Sequence, residues 1–174
     1  MAIPEFSVGD LYAALDERRR QRGLSWRQVA DEIWDLSSEL NERRRDHPIS
    51  PATLTGMGSR GATSCQHALF MMRWLDRTPE SFIVGAPEVP GSTLPVVGAD
   101  RRLRWNLARL YEAMNEQRRA SDLAWAELAI TLGCTTNQLT GLRTAKFATG
   151  IALAMRITQW LGRPASDFIY PSKW

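Results

Sequence analysis

The stretch Leu123–Arg143, LAWAELAITLGCTTNQLTGLR, predicts two short helices joined by a tight turn. Leu128 and Leu132 are four residues apart and therefore share one helical face. Gly133 follows at once and is typical of a residue that ends a helix in the left-handed conformation. Thr135 then supplies a hydroxyl that can begin a new helix, which we expect to run to the end of the stretch. This pattern predicts a helix-turn-helix.

The same pattern occurs a second time in the chain. Leu11–Leu15 aligns with Leu110–Met114, and Leu24–Trp26 with Leu123–Trp125, both at an offset of 99. Further on, Leu54–Met57 aligns with Leu139–Leu142 at an offset of 85, and Trp74–Arg77 with Trp160–Arg163 at an offset of 86. The change from 99 to 85 places 14 extra residues in the first copy, after about Ile33.

The repeat divides the chain into two copies of one unit. Residues 1–83 form the first copy, with an insertion at about 34–48, and residues 101–174 form the second. Residues 84–100, VGAPEVPGSTLPVVGAD, hold three prolines and three glycines without a helical period. That composition predicts a linker.

Further helices are predicted around the motif. Leu103, Leu107, Leu110 and Met114 recur at helical spacing and predict the first helix of the second copy. A fourth helix is expected over about 149–161. The predicted fold class is all-α, with two bundles of about five helices each.

The insertion continues a helical stripe of the first copy. Ile33, Leu36 and Leu40 share a face, so we expect the second helix to extend to about Arg45 and to stop before Pro48. The three arginines at its end either contact phosphates or form a solvated face that neighbouring acids balance.

The net charge of +3 is unevenly distributed. Residues 1–83 carry 11 Arg and 12 acids (−1), and residues 84–100 add two acids (−2). Residues 101–174 carry 9 Arg, 2 Lys and 5 acids, which gives +6. A small basic unit suits a polyanion such as nucleic acid, although a basic surface also serves solubility.

Other classes of function find no support in the sequence. No stretch approaches the roughly 18 apolar residues of a membrane span, and no signal peptide is evident, so we expect a cytoplasmic protein. Cys65, Cys134, His47 and His67 are too few and too widely spaced for a structural zinc site. Paired carboxylates, a nucleophile motif and a Gly-rich phosphate loop do not stand out, so we predict no catalytic residues, no metal and no cofactor.

These segments resemble a known family. Residues 123–143, and residues 24–30 with 49–57, are similar to the helix-turn-helix of the lambda-repressor/Cro superfamily, the Xre-type regulators. The segments WLDRTPESFI (74–83) and WLGRPASDFI (160–169) resemble the fourth and fifth helices of those domains. The resemblance implies a regulator of transcription whose recognition helix lies in the major groove of double-stranded DNA.

The resemblance also implies roles for residues of the second copy. The residues expected to read bases are Thr136, Asn137, Thr140 and Gly141. Asn can pair bidentately with adenine, and Thr offers a donor, an acceptor and a methyl group. The residues expected to contact phosphate are Trp125, Arg143 and Lys146.

The first copy departs from the family pattern. Its matching positions are Pro51, Ala52, Thr55 and Gly56, so base reading would fall to Ala52 and Thr55, and phosphate contact to Arg27 and Arg60. Because only Thr55 is polar, this copy either binds DNA without sequence preference, reads thymine methyl groups, or does not bind DNA. The family also often has Gln where this chain has Trp26 and Trp125.

Two functional hypotheses follow. The first is a sequence-specific regulator that acts as a covalent pseudo-dimer, with recognition helices about 34 Å apart on an asymmetric DNA site. The second is an antitoxin-like or adaptor-like protein-interaction module with weak or no DNA binding, which the nearly neutral first copy favours. A homodimer, a protein partner and a small-molecule effector are left open, and no membrane partner is expected.

Overall fold

The structure, a computed structural model, describes residues 2–87, 89, 91–144 and 149–174. Within those residues the protein is mainly α-helical, with a small two-stranded sheet. None of the helices there is long and apolar enough to cross a membrane. The predicted phosphate contact Lys146 lies outside the described residues.

Serine hydroxyls begin most helices of the first copy. Its helices are α1 (Val8–Gln21), α2 (Trp26–Asp35), α3 (Ser38–Arg44), α4 (Pro51–Arg60) and α5 (Cys65–Leu75), followed by a 3₁₀ helix at Pro79–Phe82. The residues whose side chains accept a first-turn backbone N–H are Ser7, Ser25, Ser50 and Ser64, which cap α1, α2, α4 and α5. These caps explain where the helices start.

The second copy is framed by two short strands. They are β1 (Arg102–Trp105) and β2 (Ile169–Ser172). Between them lie α6 (Leu107–Ala120), α7 (Trp125–Leu132), α8 (Thr136–Thr140) and α9 (Ile151–Leu161), with 3₁₀ helices at Gly141–Arg143 and Ala165–Phe168.

The repeat in the sequence is visible in the bounds of the elements. α1 and α6 both have 14 residues and are capped by Ser7 and Asn106, which are 99 positions apart. α5 and α9 both have 11 residues and begin at Cys65 and Ile151, which are 86 positions apart. Apart from α3, which lies in the insertion, the helices of the two copies therefore follow in the same order.

The predicted extension of the second helix to about Arg45 is wrong. α2 ends at Asp35, and Ser37 leaves the helical region with φ −130° and ψ 38° before α3 begins. The Ser37 hydroxyl instead donates to the carbonyl of Arg101 at 2.7 Å. The N–H of Leu40 also donates to the carbonyl of Ala99 at 3.2 Å, so the insertion breaks the helix where it packs against the junction of the linker and the second copy.

The all-α prediction missed the sheet. Leu103 was expected on the first helix of the second copy, but it lies in β1, which pairs antiparallel with β2. The helix starts only at Leu107, because the side chain of Asn106 accepts the N–H of Arg109 and so caps it. The first copy keeps this pairing as a single bridge between Phe6 and Ile83, at the positions equivalent to Trp105 and Ile169.

The two copies contact each other through equivalent residues. The N–H of Cys65 donates to the carbonyl of Thr149 at 2.8 Å, and the N–H of Ile151 donates to the carbonyl of Thr63 at 3.0 Å. Each copy thus gives and receives the same bond, and α5 and α9, which begin here, are in contact. A contact that uses the same surface on both sides has approximate two-fold symmetry.

Gln66 adds a second connection at this contact. Its buried amide donates to the carbonyl of Leu103 at 2.8 Å, and its oxygen accepts the N–H of Trp105 at 3.3 Å. α5 is therefore bonded to β1 of the other copy. The buried apolar side chains of both copies form one continuous core.

The insertion and the linker are held by a set of buried and half-buried polar groups that we call the brace (Ser37, Asn41, Asp46, Arg73 and Arg102). Arg73 donates to the Ser37 hydroxyl at 2.7 Å and also bonds carbonyls of the insertion and the linker. Arg102 donates to Asn41 and to Asp46. The brace fastens the start of the second copy to the first.

Candidate nucleic-acid interface

In the second copy α7 and α8 are joined by the tight turn that the sequence predicts, but α8 does not run to Arg143 as expected: it ends at Thr140 and a 3₁₀ helix follows at Gly141–Arg143. Gly133 ends α7 in the left-handed conformation at φ 65°. The Thr135 hydroxyl accepts the N–H of Gln138, and the Gln138 side chain accepts the N–H of Thr135, so a reciprocal capping box begins α8. Leu132 and Leu139 are fully buried and hold the two helices together.

The predicted base-reading residues of the second copy lie along α8 and the residue that follows it. Asn137 is exposed, and among the described residues its amide has no hydrogen-bond partner. Thr136, Thr140 and Gly141 are half-buried, and the Thr140 hydroxyl donates to the carbonyl of Thr136 at 3.1 Å. Asn137 is therefore the member of this set with both an exposed side chain and an amide that no described residue occupies.

The predicted phosphate contacts of the second copy differ in their surroundings. Arg143 is exposed just after α8. Trp125 is half-buried between Tyr111, with ring centroids 5.7 Å apart, and the guanidinium of Arg118, 4.5 Å from its ring. Glu127 occupies the first turn of α7 and accepts the N–H of Ala124 at 2.7 Å. This carboxylate disfavours a phosphate at the start of α7.

The first copy presents a different surface. Ala52 and Thr55 are exposed on α4, and the Thr55 hydroxyl donates to the carbonyl of Pro51 at 3.2 Å. Arg27 is exposed in the first turn of α2, and the third position of that turn is the neutral Gln28 instead of an acid. A phosphate is therefore better accommodated at the start of α2 than at the start of α7.

Trp26 has the same surroundings as its counterpart Trp125. Its ring stacks on Tyr12 with centroids 5.5 Å apart, and the Arg19 guanidinium lies 4.8 Å from its centroid. The two tryptophans are thus part of a Tyr–Trp–Arg stack that joins the first and second helices in each copy.

α4, the predicted recognition helix of the first copy, ends a few residues before the contact between the copies. Ser64 and Gly150 form an antiparallel bridge there. Ser64 follows Arg60, the last residue of α4, by four positions, a reach of at most about 14 Å. In the repeat, α8 is the helix of the second copy that is equivalent to α4.

The three arginines at the end of α3 do not form a uniform basic cluster. Arg44 pairs with Asp46 at 3.2 Å, whereas Arg43 and Arg45 are exposed. Burial raises the pKa of Asp46, but hydrogen bonds from Arg102 and Arg44 outweigh it and hold that pKa below its usual value. Asp46 therefore remains charged, and its ion pair with Arg44 connects one of the three arginines to the brace.

Groups suited to metal binding or nucleophilic chemistry do not gather in the described part of the chain. No three or more His, Cys, Asp or Glu residues there are placed to hold a metal ion. Burial raises the pKa of the Cys65 thiol to about 12, so it remains protonated at neutral pH.

Sequence reasoning missed two features of this surface. It did not identify Glu127 as an acid at the start of α7, although the acid at the third helical position of a capping box is a recognisable signal. It also assigned Arg60 to a phosphate contact and did not use the presence of Gly56 four residues earlier. Residues four apart lie next to each other on a helix, so the Arg60 side chain can lie over Gly56.

Comparison with protein-family models, with curated proteins and with solved structures finds no match to this chain.

Proposed function

We propose that this chain is a sequence-specific, double-stranded DNA-binding regulator of transcription. In this proposal residues 1–83 and 101–174 are two lambda-repressor-like helix-turn-helix bundles, joined through 84–100, that act as a pseudo-dimer within one chain. The observation that carries it is the reciprocal pair of hydrogen bonds at Cys65 and Ile151, which gives this contact approximate two-fold symmetry. In the proposal the same symmetry relates α4 to α8. Duplex DNA has a matching two-fold character, so regulators commonly bind it as symmetric pairs.

The second copy supplies the main sequence reading in this proposal. Asn137 is exposed at the second position of α8, where a major-groove helix places its base contacts, and no described residue hydrogen-bonds its amide. Arg143 follows as a phosphate contact, and the net charge of +6 on residues 101–174 supports attraction to DNA.

The first copy supplies mainly backbone contacts. Arg27 projects from the first turn of α2, whose N-terminal end attracts anions. Because the sequences of α4 and α8 differ, the proposed DNA site is asymmetric.

The experiment is selection from a library of random duplexes at moderate salt, with the wild type and with the double variant Asn137→Ala/Thr140→Ala. We expect the wild type to enrich an asymmetric motif and the double variant to lose one half of it. Binding of the selected duplex should weaken steeply with salt, because several phosphates are neutralised. Failure of the wild type to enrich any motif, with weak binding at every salt concentration, would contradict the proposal and favour a protein-interaction module.

A further inference from the structure

The recognition helix of the first copy has few polar side chains where bases would be read. Pro51, Ala52 and Gly56 stand at the positions equivalent to Thr136, Asn137 and Gly141. Among the four positions expected to read bases, Thr55 is therefore the one with a polar side chain, and its hydroxyl donates to the carbonyl of Pro51 in its own helix. The exposed face of α4 must obtain its hydrogen-bond donors from elsewhere if it is to read a base.

Arg60 provides those donors. A Cβ atom added to Gly56 would lie 2.9 Å from Nη2, 3.1 Å from Cζ and 3.3 Å from Nη1 of Arg60. The guanidinium therefore covers Gly56, one helical turn before its own Cα, which is the direction in which helical side chains lean. No hydrogen bond or ion pair engages it among the described residues, and Arg60 is exposed.

The arrangement depends on the absence of a side chain at Gly56. With φ in the ordinary helical range, this glycine is not needed for backbone freedom. Glycine weakens a helix interior relative to alanine, so its presence here calls for a packing reason. In the second copy, a Cβ at Gly141 would meet none of the residues that the structure describes.

We propose that Arg60 is a specificity-determining residue that reads a guanine in the major groove, with its guanidinium in the place of the missing side chain at Gly56. This inference rests on the proposed DNA-binding function. It replaces the expectation that Arg60 contacts phosphate. The guanidinium presents two parallel N–H donors, which match O6 and N7 of guanine, and this pairing is the commonest specific contact in protein–DNA complexes. The first copy would then contribute a guanine to the asymmetric site, whereas the second reads bases through Asn137.

The test uses the duplex selected by the wild-type chain and derivatives in which each base pair of the half facing the first copy is replaced in turn. Dissociation constants are measured by fluorescence anisotropy at several salt concentrations. The variants are Arg60→Ala, Arg60→Lys and Gly56→Ala. Gly9→Ala is a matched glycine control, because a Cβ there meets only the Ser7 hydroxyl at 3.8 Å.

We expect the wild type to prefer guanine at one position of that half by roughly tenfold or more. Arg60→Ala should abolish this preference and leave the half read by the second copy unchanged. Arg60→Lys should retain the salt dependence but lose most of the preference, because an ammonium group cannot pair bidentately. Gly56→Ala keeps the charge of Arg60 and suits a helix, but its methyl group displaces the Arg60 guanidinium. This variant should therefore also lose the preference for guanine. The control Gly9→Ala should keep that preference.

Two results would overturn the inference. If Arg60→Ala weakens binding equally for every duplex and reduces the salt slope by about one, Arg60 contacts a phosphate. If Arg60→Ala changes neither the affinity nor the preference, Arg60 does not reach the DNA. A wild-type chain that selects no motif and binds without salt dependence would instead contradict the proposed function itself, and the two failures are therefore distinguishable.

Discussion

The two copies share a scaffold but differ in the surface that faces outward. In both, a Tyr–Trp–Arg stack joins the first two helices, and buried Leu54 and Leu139 anchor the equivalent helices α4 and α8. The exposed positions differ: Ala52 stands where the second copy has Asn137, and the neutral Gln28 stands where it has Glu127. Packing is therefore conserved between the copies while the chemistry of the contact surface has diverged.

The second difference is the insertion, which only the first copy has. It forms α3 and most of the brace, so one copy holds the other through contacts that have no counterpart on the opposite side. The contact at Cys65 and Ile151 is symmetric, whereas the brace is not. This combination suits two units that bind DNA together but make different contacts with it.

The largest expected effect concerns the shared core. Leu54→Ala and Leu139→Ala each remove a fully buried side chain, which costs about 2–5 kcal/mol in free energy of unfolding. Because the core is continuous across the copies, both variants should shift the same single transition in urea, followed by circular dichroism and tryptophan fluorescence. Two separate transitions, each moved by only one of the variants, would show that the copies unfold independently.

We expect the brace, which belongs to the insertion side of the molecule, to contribute to the free energy of unfolding. Asn41→Ala removes the acceptor that Arg102 uses at 3.0 Å and leaves a buried guanidinium short of a partner. We expect a loss of about 1–3 kcal/mol, measured by thermal unfolding. The exposed neighbour variant Glu42→Ala is the control and should change stability by less than about 0.5 kcal/mol. Equal effects of the two variants would contradict the account of the brace.

Exchanging residues between the copies tests whether their reading surfaces account for the asymmetry. Asn137→Ala should remove a base preference of about 1–3 kcal/mol from one half of the selected site. Ala52→Asn, at the equivalent position of α4, should create a new preference in the other half. Both are measured by repeating the selection from random duplexes, and a motif unchanged by Ala52→Asn would show that α4 does not face bases.

The smallest effect is a dependence on pH. The folded-state pKa of Asp46 is lowered, so the stability that its charge contributes is present at neutral pH and is lost as the pH falls through the folded-state pKa. Asp46→Asn should therefore be less stable than the wild type at pH 7, by less than about 1 kcal/mol because this carboxylate is partly exposed. The difference should vanish at acidic pH below the usual aspartate range. A difference that stays constant across this range would exclude the charge as its cause.

Local signals in the sequence were sufficient for much of the fold. Gly133 and Thr135 predicted the turn of the second copy, because helix ends depend on backbone conformation and nearby hydroxyl groups. Ser50 and Pro51 at the start of α4 are signals of the same kind, a capping hydroxyl followed by a proline in the first turn. The offsets of 99 and 86 predicted the correspondence of helices, since equivalent buried positions must hold similar side chains.

Long-range contacts were not predictable in this way. Leu103 fits a helical stripe with Leu107, and only pairing with residues almost 70 positions away makes it part of a strand. The break at Ser37 similarly depends on the carbonyl of Arg101, which lies 64 positions further along the chain. At the candidate site, the placement of the Arg60 guanidinium over Gly56 depends on a rotamer, which spacing permits but does not determine.

The most direct test of the central claim is a hydroxyl-radical footprint on the selected duplex, combined with the mass of the complex from analytical ultracentrifugation. The account predicts one chain per duplex and two protected segments on the same face, about one helical turn apart, with different base sequences beneath them. A single protected segment, or two chains bound to a symmetric site, would contradict the claim that both copies of one chain engage DNA together.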